Sequence, residues 1–107
     1  MSLDVWLMKT QPTEVFSANI THNLNTMAEE AGVYQHLWRP EEIGISKAGD
    51  LILPLTEAVK KMEENPVRFR KHNAPNGWGT YEGLLKFIKN YLAACIEHPD
   101  AEIGVSR

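Results

Sequence analysis

Asn73-Ala74-Pro75-Asn76-Gly77-Trp78-Gly79-Thr80 is a polar turn that runs without interruption into the most regular segment of the chain. In that segment Tyr81, Leu84, Leu85, Ile88, Tyr91, Leu92 and Cys95 recur at i, i+3, i+4 and i+7 spacing. A stripe of this period, sustained over about four turns, predicts an amphipathic helix whose apolar face lies at the centre of the core. Thr80 stands where a side-chain oxygen can accept from a free backbone N–H of the first turn, and His98-Pro99 marks the stop. The indole of Trp78, set between Gly77 and Gly79, must either pack inward or offer a contact surface.

Working outward from this helix, the chain reads as strand at both ends. Ala101, Ile103 and Val105 alternate with polar or small residues, and so do Leu3, Val5 and Leu7 with Asp4, Trp6 and Met8. Thr10-Gln11-Pro12-Thr13 reads as a turn, because Pro12 cannot donate to a ladder. Glu14 to Ile20, with Val15 and Phe16, then reads as a second strand that closes an antiparallel hairpin. A hairpin alone is marginal, so the C-terminal strand is expected to complete the sheet.

Helices fill the interval. Thr21 to Gly32 carries Leu24, Met27, Ala28 and Ala31 on one face, with Thr21 or Asn19 as the cap. Val33 to Trp38 can add a turn, and Arg39-Pro40 interrupts it and reopens a helical turn at Pro40. Ser46 is placed to cap a helix whose apolar positions Ala48, Leu51, Ile52, Leu55, Ala58, Val59 and Met62 keep phase across Pro54, which predicts one helix kinked there. Asn65-Pro66 opens a short helix ending near His72. The expected fold class is α+β: a three-stranded antiparallel sheet, made of an N-terminal hairpin plus a C-terminal strand, packed against about three helices, with residues 1–107 forming one domain.

Composition narrows the functions. A hydrophobic share of 43% and a charged share of 23% exclude a disordered or coiled-coil chain. The net charge of -3 argues against a DNA or RNA polymer as partner, because such binding needs a cationic face. Cys95 is the only cysteine and sits on the apolar stripe, so no internal disulfide forms and a reduced, cytoplasmic location is expected. No apolar run approaches the roughly 20 residues that span a bilayer, so no membrane partner is expected. His22, His36, His72 and His98 are scattered without ligand spacing, and neither a metal nor a cofactor is expected. No nucleophile elbow or phosphate loop occurs, and the adjacent pairs Glu41-Glu42 and Glu63-Glu64 would point about 100° apart on a helix rather than form a dyad.

Three clusters carry candidate chemistry. Thr21-His22-Asn23 opens a helix, where free N–H groups favour an anion or simply an ordinary cap. Trp38-Arg39 sets a stacking plane beside a forked cation, or else a core Trp beside an Arg in a surface ion pair. Asn76, Trp78, Thr80 and Tyr81 set another aromatic beside a second helix start, or else a Trp plug over the core. Together they frame a pocket if the fold brings them to one place.

The runs Asn19-Ile20-Thr21-His22-Asn23-Leu24, Leu37-Trp38-Arg39-Pro40-Glu41-Glu42-Ile43-Gly44-Ile45, Asn76-Gly77-Trp78-Gly79-Thr80-Tyr81 and Ile103-Gly104-Val105-Ser106-Arg107 resemble an uncharacterised family of small bacterial and bacteriophage proteins. The resemblance covers nearly the whole chain from Met1 onward and brings no activity with it. By analogy, its phage setting implies a domain that sequesters a nucleotide-derived anionic signal without chemistry, as in counter-defence. The expected function is therefore small-ligand binding through Thr21, His22, Asn23, Trp38, Arg39, Asn76, Trp78, Thr80 and Tyr81, with the open sheet edges offering a route to a homo-oligomer. Two other readings stand beside it: a protein-interaction domain or inhibitor anchored by exposed Trp side chains, and a hydrolase or transferase using His22 as acid or base.

Overall fold

The N-terminal alternation becomes strand β1 (Ser2–Met8), with Leu3, Val5 and Leu7 fully buried and Asp4 exposed. Strand β2 (Glu14–Thr21) pairs with it antiparallel, and strand β3 (Glu102–Ser106) pairs with its other side, giving the order β2-β1-β3. The computed structural model describes residues 2–9, 14–73, 77 and 79–107, so the turn expected at 10–13 lies outside the described residues. The register puts Leu3, Val5 and Leu7 opposite Ile20, Ala18 and Phe16, and Val105 and Ile103 complete this inner face. Leu7 faces Phe16 but Met8 faces Glu14, so Val15 is the extra residue of a β-bulge near the start of the outer strand.

Helix α5 (Tyr81–Glu97) is the predicted central helix. Its Leu84, Ile88, Tyr91 and Cys95 are fully buried, and Phe16 of β2 stacks on Tyr91 with ring centroids 5.7 Å apart. Thr80 caps it as expected, accepting from the Gly83 N–H at 3.0 Å, while the Asn73 side chain accepts from the Tyr81 N–H at 2.8 Å. On the other face of the sheet Trp6 lies across Gly104, and a Cβ placed there would stand 2.0 Å from the indole, so this register position requires glycine.

The interval between β2 and α5 is built from shorter pieces than the sequence suggests. The helix expected from Thr21 to Gly32 is a 3₁₀ turn (His22–Leu24) followed by α1 (Asn25–Glu30), with Gly32 in the left-handed region beyond it. Helix α2 (Tyr34–Trp38) follows, and Pro40 opens a 3₁₀ turn (Pro40–Ile43). The kinked helix is corrected as well. A 3₁₀ turn (Ala48–Leu51) leads into α3 (Ile52–Glu64), so Pro54 sits in the first turn, where its missing N–H has no intrahelical partner to lose. Ser46 does not cap it; the turn begins at Lys47 without a side-chain cap, and the Ser46 carbonyl accepts from the Ile103 N–H instead. Helix α4 (Pro66–Arg70) begins at Pro66 as expected. No helix among the described residues is long and apolar enough to cross a membrane.

Candidate functional site

Trp38 and Arg39 are neighbours in sequence and part company in space, because Trp38 is the last residue of α2 and Arg39 leaves the helix with φ -139° and ψ 52°. Trp38 is only 2% exposed and belongs to the core. Tyr34, one turn earlier on α2, stacks on it with ring centroids 5.4 Å apart and planes at 18°, and the His22 ring stands at 70° to it with centroids 6.1 Å apart. The stacking plane expected at Trp38 is therefore covered. The half-buried ring beside the cleft is Tyr34, at the i, i+4 spacing that sets two rings together on a helix.

Arg39 remains at the surface. Its Nε donates to the Tyr34 hydroxyl at 3.3 Å and one terminal nitrogen pairs with Glu42 at 3.1 Å, and these two partners, Tyr34 first, hold its pKa above the ordinary arginine value. Tyr34, Gln35, His36, Arg39 and Glu42, with Glu29 and Gly32 across from them, enclose an open cleft of about 370 Å³. Burial pushes the pKa of His36 below its ordinary value, so its ring is neutral near pH 7. Its Nδ1 is buried without a hydrogen-bond partner among the described residues. The cleft thus combines one backed aromatic ring, one fixed cation, one neutral imidazole and two carboxylates.

The other two clusters do structural work around the same corner. The Thr21 hydroxyl accepts from the Asn23 N–H at 3.4 Å and caps the 3₁₀ turn. Gly79 approaches so closely that a Cβ there would lie 3.2 Å from the Leu24 side chain and 3.3 Å from the Thr21 methyl group, which sets Gly79 against the Thr21 corner. Among the described residues the Thr21 corner therefore touches two neighbours, with His22 against Trp38 and Thr21 against Gly79. Asn76 and Trp78 lie outside the described residues.

This geometry bears on three expected roles. Tyr81 is 5% exposed, with its hydroxyl donating to the Met62 carbonyl at 2.9 Å, so it sits in the core. At the start of α5 the Tyr81 and Gly83 N–H groups are taken by Asn73 and Thr80, and the Glu82 carboxylate, itself held below its ordinary pKa, accepts from its own backbone N–H first and from Arg70 second. The protein supplies the acceptors there, so that helix start offers no anion site at Thr80. His22 has its Nε2 buried with no hydrogen-bond partner among the described residues, and an acid or base needs such reach to its target or its orienting group.

One tie was invisible in the sequence. One terminal nitrogen of Arg107 donates to the Trp38 carbonyl at 2.8 Å and lies 2.9 and 3.0 Å from the two Glu41 oxygens, fastening the residue after β3 to the segment that carries Arg39. Nothing in spacing could reveal a pairing 66 residues apart. Among the described residues no group of three His, Cys, Asp or Glu side chains converges as a metal site would require. Comparison with protein-family models, with curated proteins and with solved structures finds no match.

Proposed function

We propose that the chain is a non-catalytic binding module that holds a small nucleotide-like ligand in the Tyr34–Arg39 cleft and sequesters it unchanged. The observation that carries the reading is the pairing of Tyr34, backed by the buried Trp38, with the Arg39 fork at its hydroxyl. A planar base gains a rigid ring to stack on, and a phosphate gains a cation already positioned. Because Trp38 already fixes the Tyr34 ring, ordering that ring on binding costs little.

The acids set the character of the ligand. Glu29 and Glu42 repel a second negative charge and accept from hydroxyl or amine donors, so the favoured ligand carries one anionic group at Arg39 and sugar hydroxyls or an exocyclic amine toward the carboxylates. The ligand phosphate shares or replaces Glu42 on the guanidinium. Sequestration rather than turnover fits the same inventory, in which no nucleophile is seated beside a base among the described lining residues.

Isothermal titration of the purified chain with mononucleotides, cyclic dinucleotides and ADP-ribose derivatives tests this. Saturable heat with at least one of them, lost in Tyr34→Ala, is the expected result. Folded protein that gives no heat with any of them overturns the reading.

A further inference from the structure

The two edges of the sheet are finished differently. The outer edge of β3 is closed by the chain itself: the Ile103 N–H donates to the Ser46 carbonyl at 3.0 Å, Lys47 bridges to Glu102, and the Ala48 N–H donates to the Ala101 carbonyl at 2.9 Å. The outer edge of β2 makes no backbone hydrogen bond to any described residue. An open edge is a template for another strand, and proteins ordinarily cover or charge it. Here the β-bulge at Val15 blunts only its beginning.

Beside that edge runs a groove of about 240 Å³ between β2 and α5, with Phe16 and Phe87 as its apolar floor and Asn19, Lys86 and Asn90 on its walls. Lys86 is exposed and makes no ion pair with a described residue, whereas Lys47 and Lys89 both have carboxylate partners. We infer that the β2 edge takes an extended peptide segment of a partner protein as a fourth strand, with an apolar side chain over Phe16 and Phe87 and a carboxylate two residues away on Lys86. Side chains of an added strand alternate between the two faces, so residues two apart both enter the groove. Main-chain hydrogen bonds to β2 supply sequence-independent affinity, and the groove supplies the preference.

The occupant is a bare strand rather than a second copy. Helix α5 lies directly against β2 through the Phe16–Tyr91 stack. A second copy paired through β2 with its helices on the same side brings its own α5 against its own β2. Paired strands stand about 4.8 Å apart and packed helices need about 8–10 Å, so the two helices collide. A peptide carries no such layer.

A random heptapeptide array probed with the labelled chain, followed by fluorescence anisotropy on the best peptide, tests the inference. Enrichment of an acidic and a large apolar residue at alternate positions is expected. Lys86→Glu should then weaken the selected peptide by at least about tenfold and move the array preference to Lys or Arg at the same position. Lys60→Glu, on α3 outside the groove, should change nothing. N-methylation at one set of alternate peptide residues should abolish binding while the other set is tolerated, which reads strand addition directly. No enrichment, binding indifferent to Lys86→Glu, or equal tolerance of both methylated sets overturns it. So does a concentration-dependent dimer, seen by light scattering, that excludes the peptide.

Discussion

Tyr91 and Trp38 are both buried rings, and the regions around them are held in different ways. Tyr91 sits among long regular elements, with Phe16 stacked on it and the Phe87 edge against it, and position there is fixed by packed area. Trp38 sits among helices of five or six residues and 3₁₀ turns, and polar ties help fix its place: the distant Arg107 on its carbonyl and the adjacent Arg39 on Tyr34. Short helices bury too little of their own surface to hold themselves, so such ties carry more of the structure there. The difference teaches where a site belongs: the region around Trp38 presents polar groups because polar groups assemble it.

The sharpest way to break the comparison is at its packed end. Tyr91→Ala removes a fully buried ring and should cost about 3–5 kcal/mol in denaturant unfolding. Tyr91→Phe should behave oppositely. The hydroxyl is buried with no partner among the described residues, and desolvation raises its pKa strongly, so deleting it should leave stability equal or slightly higher. A loss above about 1 kcal/mol for Tyr91→Phe would mean that the hydroxyl is bonded after all.

Gly104→Ala comes next. Its Cβ drives into the Trp6 indole, so the ring must leave the sheet face, at an expected cost of about 1–3 kcal/mol. Trp6→Ala in the same chain should recover most of that loss, and a double-mutant cycle without coupling would refute the contact.

The tied region should respond less. Arg107→Ala should cost about 1 kcal/mol, since it removes one hydrogen bond to a backbone carbonyl and a half-exposed ion pair. The loss should appear as faster hydrogen exchange around Tyr34–Trp38 before global unfolding changes.

The outline of the fold was legible because burial has a period. The strands and α5 declare themselves by alternation and by a helical stripe, and Leu3, Val5, Leu7, Leu84 and Ile88 are buried as that periodicity requires. The segment from Thr21 to Leu51 was legible only in its punctuation, at Gly32, Pro40 and the Thr21 cap, because a turn of 3₁₀ or α helix leaves the same apolar spacing in so short a run. The kink assigned to Pro54 failed for this reason: unbroken phase does not tell a helix interior from a helix start. At the candidate site Trp38-Arg39 could be read in two ways, and the structure takes the core Trp beside an Arg in a surface ion pair; the ring at the cleft is Tyr34, whose i, i+4 spacing from Trp38 carried the signal.

Titration probes the short-helix region through His36 on α2 and Glu30 on α1. The folded pKa of His36 lies below its ordinary 6.5, so as pH falls through 6.5 the unfolded chain binds the proton first and stability declines until the folded pKa is reached. Glu30, held below its ordinary 4.5 by hydrogen bonds from Arg68 and then His72, adds stability that is present above 4.5 and lost as pH falls through its folded pKa. Melting temperature against pH should therefore fall in two stages on acidification, and His36→Gln should remove the upper one. A single stage near pH 4 in the parent chain would show that burial does not depress His36.

The smallest expected effect on stability is the most informative about the site. Arg39 is 40% exposed on its side chain and pairs with an exposed Glu42, so Arg39→Ala should change unfolding free energy by well under about 1 kcal/mol. If the guanidinium holds the ligand's phosphate, the same substitution should weaken binding by about 1.5–3 kcal/mol, the range of a charge-assisted hydrogen bond. Arg39→Lys separates charge from shape: lysine keeps the cation and loses the planar fork that reaches the Tyr34 hydroxyl and the ligand together, so rescue should be partial. Glu42→Gln runs the other way, releasing the guanidinium from its intrachain carboxylate, and should tighten an anionic ligand while leaving a neutral one unchanged. Should Arg39→Ala unfold the chain instead, Arg39 would join Arg107 as a tie, and the cleft would lose the cation on which its preference for an anionic group depends.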